Sequence, residues 1–496
     1  MTATSTGSTS PPSAVEGDRD WPIHTWLLLV VLCGALFLDG LDISMVSIAL
    51  PSIGSDLDMS PASLQWVLSG YVLGFGGLLL LGGRCADLLG RRQVFLAAVA
   101  VFGTASLISA ALTDPGAIIA LRFVKGVAAA FTVPAGLSII TTTFAEGPAR
   151  NRALSIYTVV GSSGFSLGLV LGGMLTEIGW RATFVLPGPV ALALLLLGAR
   201  IIPRSRRVVT RLRDFDLFGA LTSTAALLSL VVAVVQAPTS GWMGPTVGGL
   251  LGATLVLVIA FVVTEARHAT PLVRLGILRS WVLVHANVAS AILSGAFYAY
   301  QFLATLYLQD SLGWSPMETA LGFLPAGLLV VASSTRIDRV LARVRTQVLI
   351  VVGLASLVGA FSLFLAADPT VSYAVLLLPT MLLVGVGIAT AFPAIYLQAT
   401  ARVEDHEQGL ASGLVNTSSQ VGGAVVLAVV SVILADAANA DGPVELGSLM
   451  PGTVTALQLM VGLTAAGALA SVVALFWSPT DDSTDCSAAV LERDRT

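Results

Sequence analysis

The chain has 496 residues, of which 55% are hydrophobic and only 11% charged, and its mean hydropathy is +0.89. A soluble protein of this size needs far more polar surface to cover its core, so the composition excludes that class and points to lipid as the solvent. The formal net charge of -4 provides no basic surface for nucleic acid, and Cys33, Cys85 and Cys486 lie too far apart for a disulfide framework or a CxxC metal or redox site.

Residues 1–24 are rich in Ser, Thr, Pro and Gly and lack the basic start of a cleavable signal. A disordered cytoplasmic tail is expected there, with the first apolar segment acting as an uncleaved insertion signal. Apolar runs of the ~20 residues needed to cross a bilayer then recur along the chain. The first six cover about 25–48, 62–83, 93–113, 116–141, 152–176 and 182–202, an N-terminal six-helix bundle over 25–203. Two more, at about 215–236 and 245–266, form an inserted pair within a linker region over 204–280. The last six, at about 281–308, 317–335, 347–366, 371–396, 408–435 and 452–477, form a C-terminal six-helix bundle over 281–477, followed by a second cytoplasmic tail over 478–496. The expected fold is an all-α integral membrane protein of about fourteen transmembrane helices.

Arginines set the orientation, because basic residues are retained on the cytoplasmic side. Arg84, Arg91 and Arg92 follow the second span, Arg150 and Arg152 the fourth, and six arginines from Arg200 to Arg213 the sixth. Arg267, Arg274 and Arg279, then the run from Arg336 to Arg345, then Arg402 continue the series after even spans. Odd connections hold one basic residue, Arg181, among acids such as Asp56, Asp58, Asp114 and Asp368. Both termini are therefore expected in the cytoplasm of a cell (plasma) membrane protein.

A weak internal repeat supports two related bundles, a mark of transporter folds. The fourth span reads Lys125-Gly126-Val127 and ends the stretch in Phe131-Thr132-Val133-Pro134-Ala135, while the twelfth reads Val384-Gly385-Val386 and ends in Ala391-Phe392-Pro393-Ala394. The loops around Asp87 and Asp338, each placed before arginines, echo one another as well.

The most informative residue is Lys125, the one lysine in the sequence, inside an apolar span. A charge near the bilayer centre costs roughly 2.5 to 3.5 kcal/mol on insertion scales, so it needs a partner or a water-filled cavity. Four such groups stand out: Asp39 and Asp42 in the first span, Arg122 and Lys125 in the fourth. The two spans run in opposite directions, and at ~1.5 Å per residue Asp42 and Arg122 reach similar depth. Three-residue steps carry Asp39 and Lys125 deeper by ~4.5 Å on the same helix faces. Two stacked pairs are expected, Asp42 with Arg122 and Asp39 with Lys125, whose carboxylates answer to their neighbours and to water. The alternative is that Lys125 snorkels and the charges only lock two helices together.

With these residues in view, the sequence resembles the fourteen-helix drug:proton antiporter branch of the major facilitator superfamily (multidrug and antibiotic efflux type) over nearly its whole length. Gly83-Arg84-Cys85-Ala86-Asp87-Leu88-Leu89-Gly90-Arg91-Arg92 fits the superfamily loop between helices two and three, which implies a cytoplasmic gate at Gly83, Asp87, Gly90, Arg91 and Arg92. Retention of the loop by its arginines alone is the rival reading, although topology does not require Asp87 or Gly90. Leu41-Asp42-Ile43 through Ala49-Leu50-Pro51 is similar to the branch's helix-one motif and implies a membrane-embedded acid at Asp42; Arg122 to Gly126 is similar to the helix-four motif, whose arginine is associated with proton transfer. The motif commonly has glutamine at the place of Lys125, and Asp39 lies outside its helix-one pattern. Gly164, Gly168, Gly172 and Gly173 match the antiporter-type glycine helix, yet Leu169 stands where that motif has proline. Close packing at small-xxx-small spacing explains those glycines equally well.

The resemblance implies a major facilitator fold and a secondary active transporter that exports small amphiphilic drugs or antibiotics in exchange for protons by alternating access. A facilitator, or a proton-coupled importer of a small metabolite, stays open as the alternative. Tyr298, Gln301, Phe392 and Asn416 are candidates for a mixed apolar and polar cavity, against ordinary interhelical packing. Helices nine to fourteen hold no central acid, which argues against a dedicated multivalent-cation pump. No HExxH, P-loop or nucleophile and base arrangement rises above chance, so no enzyme activity, cofactor or metal is expected. The expected partners are the small-molecule substrate, protons and the lipid bilayer, with the chain as a monomer.

Overall fold

A computed structural model of the chain describes residues 21–477 apart from 146, 204–215, 242, 269–270, 272, 274, 335, 342, 367–371, 402, 404–407 and 442–450. The tail expected over 1–24 lies outside the described residues up to 20, as do the tail over 478–496, the linker arginines from Arg204 to Arg213, and Arg274, Asp368 and Arg402. Among the described residues fourteen helices are long and apolar enough to cross a membrane. They are α1 Ile23–Asp56, α2 Pro61–Leu89, α3 Arg91–Ala111, α4 Pro115–Thr143, α5 Pro148–Ile178 and α6 Arg181–Ile201. Then come α7 Leu217–Ser240 and α8 Pro245–Arg267, followed by α9 Trp281–Leu306, α10 Pro316–Ser334, α11 Thr346–Phe364, α12 Leu377–Thr400, α13 Gln408–Asp441 and α14 Thr453–Trp477. An even number of crossings brings residues 21 and 477 to the same end of the molecule, called the near end below.

Local chemistry sets the helix starts. Ser60 and Asp114 accept hydrogen bonds from the backbone N–H of Ser63 and Ala117, and Pro61 and Pro115 follow at the first helical position, where no N–H is needed. Asp216 and Ser280 cap α7 and α9 in the same way. Several ends differ from the sequence pattern for identifiable reasons. The first helix runs on through Pro51 to Asp56, because a proline in lipid costs one hydrogen bond that its neighbours absorb. The sixth span breaks at Leu186, just before Pro187. The twelfth begins at Leu377 and not near 371, since Ser372–Leu376 forms turns and Tyr373 donates its hydroxyl to the Gly322 carbonyl. A π-helical turn, Tyr307–Ser311, ends α9.

Helices approach closely where glycines leave room. A Cβ on Gly126 would lie 2.0 Å from the Tyr71 carbonyl oxygen, so α4 rests directly on α2; the echoing Gly385 of α12 meets the Ala326 backbone of α10. The internal repeat is thus visible as equivalent packing. Gly164, Gly168 and Gly172 face the α1 backbone at Phe37, Leu41 and Met45, and Gly422 of α13 meets α9 at Ala291. The first six helices pack with one another and the last six do the same; α5 lies along α10 and α2 along α13 between the two bundles.

The apolar core is unequal at the two ends. One continuous cluster runs the length of the second bundle, from Leu283 and Ala411 to Tyr307 and Phe364, and far from the termini it takes in Val46, Leu50, Val67 and Phe184 of the first. Near the termini a separate cluster around Leu32, Phe95, Ile140 and Ala153 includes no residue of α9–α14. The inserted α7 lies against the seam between α2 and α13, where Val72, Val231 and Ala424 meet and Thr224 donates to the Gly77 carbonyl at 3.0 Å. Helix α8 packs on α7, and 6% of its apolar window is buried.

Gly168→Ala forces the new methyl into the Leu41 backbone and the Ser44 hydroxyl. It is expected to cost about 1–3 kcal/mol in thermal melts of the solubilised protein. Gly252→Ala on α8 places its methyl where no atom lies within 4 Å, and is expected to be neutral or stabilising by up to about 1 kcal/mol.

Candidate functional site

All four charges expected in the membrane interior are buried, but one of the two expected pairs is not formed. Asp42, Arg122 and Lys125 are fully buried, and Asp39 is 7% exposed. Arg122 donates through Nη1 to Oδ2 of Asp42, as the matched depths predict. Lys125 does not reach Asp39; its ammonium donates to Oδ1 of the same Asp42, and Oδ2 of Asp39 has no hydrogen-bond partner. The reason lies in two further helices, which depth matching between α1 and α4 leaves out. Ser106 of α3 accepts from the Lys125 ammonium at 2.9 Å and donates its own hydroxyl hydrogen bond to the Phe184 carbonyl of α6. The rings of Phe102 and Phe184 lie 4.7 and 5.5 Å from the same nitrogen. Hydroxyl and ring faces together hold the flexible lysine head at the height of Asp42.

Arg122 is anchored to the backbone of a neighbouring helix. Its Nε donates to the Val67 carbonyl of α2 at 2.8 Å, and the guanidinium lies 4.8 Å from the centre of the Tyr71 ring. One carboxylate therefore bridges two cations, and α1, α2, α3, α4 and α6 all contribute to the cluster.

A cavity of about 290 Å³ lies between α5 of the first bundle and α9, α10, α12 and α13 of the second. Tyr298, Gln301 and Phe392 line it as expected; Asn416 does not, and Ser419, one turn further along α13, takes that place. Phe165, Phe297, Tyr300 and Phe323 complete an aromatic wall, and the polar side chains besides the two tyrosines are Ser166, Ser294, Ser419 and Gln301. No charged side chain is among the lining residues. Gln301 also donates to Ser47 of α1 at 2.8 Å, across the bundle interface.

Comparison with known proteins follows the same lines. The family model described as Major Facilitator Superfamily matches residues 32–427. The chain belongs to the Major Facilitator Superfamily. It is 38% identical over 470 residues to the puromycin resistance protein of Streptomyces alboniger, covering 93% of this chain and 92% of that protein. Identity to the cephamycin export protein of Amycolatopsis lactamdurans is 37% over 425 residues, 85% and 87% of the two chains. The tetracenomycin C resistance and export protein of Streptomyces glaucescens is 31% identical over 431 residues, 86% and 78% of the two. Solved structures share the fold at low identity. A nucleoside transporter superimposes with a TM-score of 0.61 at 14% identity over 91% of this chain and 99% of its own. A bacterial homolog of the human lysosomal transporter Spinster does so at 0.62 and 17%, over 93% and 100%.

The superfamily loop lies at the near end. Gly90, with φ at +98°, makes the turn from α2 into α3, and Gly83 faces Pro134 of α4. Arg91 donates to the Ser138 carbonyl of α4 at 3.3 Å and Arg92 to the Ala199 carbonyl of α6 at 2.6 Å, so both hold helix ends of their own bundle. The side chains of Asp87 and of its echo Asp338 lie outside the described residues. On α5, Gly164, Gly168 and Gly172 serve close packing on α1, while Gly173 meets Met317 at the start of α10. Leu169, at the place of the motif proline, is buried and lines the cavity.

Sequence reasoning missed Ser106, Phe102, Phe184 and the Val67 carbonyl around the cluster, and most of the aromatic wall. An isolated serine or phenylalanine in an apolar helix carries no signal of its partner.

Asp42→Ala strands two sealed cations and is expected to cost about 3–5 kcal/mol of stability. In double-mutant cycles scored by unfolding of the solubilised protein, Asp42→Ala with Lys125→Met couples by about 1–3 kcal/mol, whereas Asp39→Ala with Lys125→Met is closer to additive. The reverse order restores the pairing expected from sequence.

Proposed function

We propose that this chain exports antibiotic-like amphiphilic molecules from the cytoplasm in exchange for protons, by alternating access across the plasma membrane. The observation that carries the reading is an uncharged, aromatic-walled cavity between the two bundles of a chain whose relatives bear the names of puromycin resistance, cephamycin export and tetracenomycin C export proteins. Rings stack on such walls, and a few hydroxyl and amide groups orient the polar parts of a substrate without demanding one chemistry.

The near end, with Arg84, Arg91, Arg92, Arg150 and Arg152 in its connections, faces the cytoplasm in this reading. The joined far-end core and the separate near-end core then correspond to a state closed to the outside, in which cargo loads from within. Val330, Val331 and Phe392 line the cavity from the near halves of α10 and α12. The loop motif at Gly83, Asp87, Gly90, Arg91 and Arg92 serves as the cytoplasmic gate of the opposite state.

Asp42, Arg122, Asp39 and Lys125 form the proton-coupling cluster. Coupling requires that a proton prefer one of the two states, and a carboxyl whose partners rearrange between states meets that requirement. No nucleotide-binding motif offers another energy source.

Everted membrane vesicles test the reading with puromycin as the transported compound. Wild-type protein is expected to accumulate it in a manner lost when the proton gradient is collapsed. Asp42→Asn is expected to insert normally and to reduce gradient-driven uptake to the level of empty vesicles; undiminished pumping sinks the coupling role. Equilibration without accumulation in the wild type identifies a facilitator instead. Tyr298→Ala and Phe392→Ala are each expected to raise KM by roughly tenfold with the pH dependence intact.

A further inference from the structure

We infer that Asp39, and not Asp42, is the group that carries the proton, and that Lys125 is an arm that moves between the two carboxyls as the proton comes and goes. The inference rests on the antiport reading above and assigns its coupling site.

Both oxygens of Asp42 accept from cations inside a sealed pocket, so in this state it is an ionised counter-ion whose negative form those two cations favour. Asp39 sits one helical turn away on the same face of α1 with the opposite character. Its Oδ2 is buried and has no hydrogen-bond partner, and the whole residue retains 7% exposure where Asp42 has none. The groups that face it are Asp42 on its own helix, Lys125 on α4, Tyr71 on α2 and Tyr157 on α5. Tyr157 donates its hydroxyl to the Val133 carbonyl, and the Tyr71 hydroxyl makes no bond, so neither supplies a donor to Asp39. Burial beside another carboxylate with an unpaired oxygen penalises the charged form of Asp39 far more than the neutral one. The structure therefore corresponds to protonated Asp39.

Removal of that proton leaves a bare carboxylate one turn from Lys125. The step is a simple transfer: the O–H bond of Asp39 breaks, the proton leaves to water, and Asp39 gains a negative charge. The lysine is the mobile cation of the cluster, because Arg122 is anchored to the Val67 backbone carbonyl as well as to Asp42, while beyond Asp42 the ammonium is held only by one side-chain hydroxyl and two ring faces. Its four-carbon stem spans the ~4.5 Å step from Asp42 to Asp39. Proton loss thus draws Lys125 off Asp42 and loosens the joint between α1 and α3, and proton binding restores the arrangement seen here. Asp39 lies toward the near end of α1 relative to Asp42, on the side where an antiporter releases its proton.

Infrared titration of the full chain in lipid nanodiscs tests this without any cargo. The wild type is expected to show a pH-dependent protonated-carboxyl band that is absent from Asp39→Asn. In Lys125→Met the same band is expected to persist to higher pH, its midpoint shifted by about one unit or more, because the ionised form has lost its cation. A band and midpoint unchanged in Asp39→Asn overturn the assignment, and an unshifted midpoint in Lys125→Met overturns the moving arm. Since neither cargo nor gradient enters the titration, an Asp39 band without vesicle export would count against the exporter reading alone. Proton-driven export with no Asp39 band would count against this inference alone.

Discussion

One carboxylate held between two cations in a membrane interior is the constraint around which the first bundle is arranged. Asp42 can remain ionised there because Arg122 and Lys125 both reach it, and each cation in turn needs acceptors and ring faces that only neighbouring helices provide. The Val67 carbonyl and Tyr71 fix the relation of α2 to α4, and Ser106 with Phe102 and Phe184 fixes α3 and α6. A sealed ionic cluster of this kind is a poor source of net stability, since desolvation offsets most of the attraction. Its value lies in geometry: the helices that meet at Asp42 cannot slide without breaking several charge-assisted bonds at once.

The two bundles use the same helix scaffold for different ends. In α4 the face turned to α1 carries Arg122 and Lys125; at the equivalent places in α12 stand Met381 and Val384, and both line the cavity. Gly126 and Gly385 keep the equivalent close approach to α2 and α10 in both halves. A duplicated backbone thus supports a charged centre in one bundle and an apolar surface for a bound molecule in the other.

Much of this is visible in the sequence. Fourteen spans, their alternating arginines and the depth match between Asp42 and Arg122 follow from hydropathy and from the fixed rise of a helix. The same arithmetic pairs Lys125 with Asp39, yet the lysine bonds to Asp42, because periodicity fixes where a Cα lies and says little about where a long, flexible side chain ends. Ser106, Phe102 and Phe184, which decide that question, belong to helices related to Lys125 only by tertiary packing. Asn416 fails as a cavity residue for a related reason: it is one turn from Ser419, and the rotation of α13 about its axis is set by contacts such as Gly422 on α9, not by composition. Helix ends depart from the sequence pattern where lipid changes the rules, as at Pro51.

The charge cluster lies inside the first bundle while most of the cavity wall belongs to the second, and α1 is an element placed to link them. Ser47 is five residues beyond Asp42 on a continuous helix, and its hydroxyl, already committed as a donor to the Ser44 carbonyl, accepts from Gln301 in the cavity wall. Two turns further on, in the π-helical turn that ends α9, Gln309 donates to the Ile48 carbonyl at 3.0 Å, beside the carbonyl of Ser47 that Pro51 leaves without its usual helical donor. A rigid helix transmits displacement along its whole length, and the glycines of α5 let it bear directly on a second backbone. Movement of α1 that follows a change in the charge cluster must therefore either carry Gln301 with it or break the bond to Ser47, and in both cases the wall of the cavity changes.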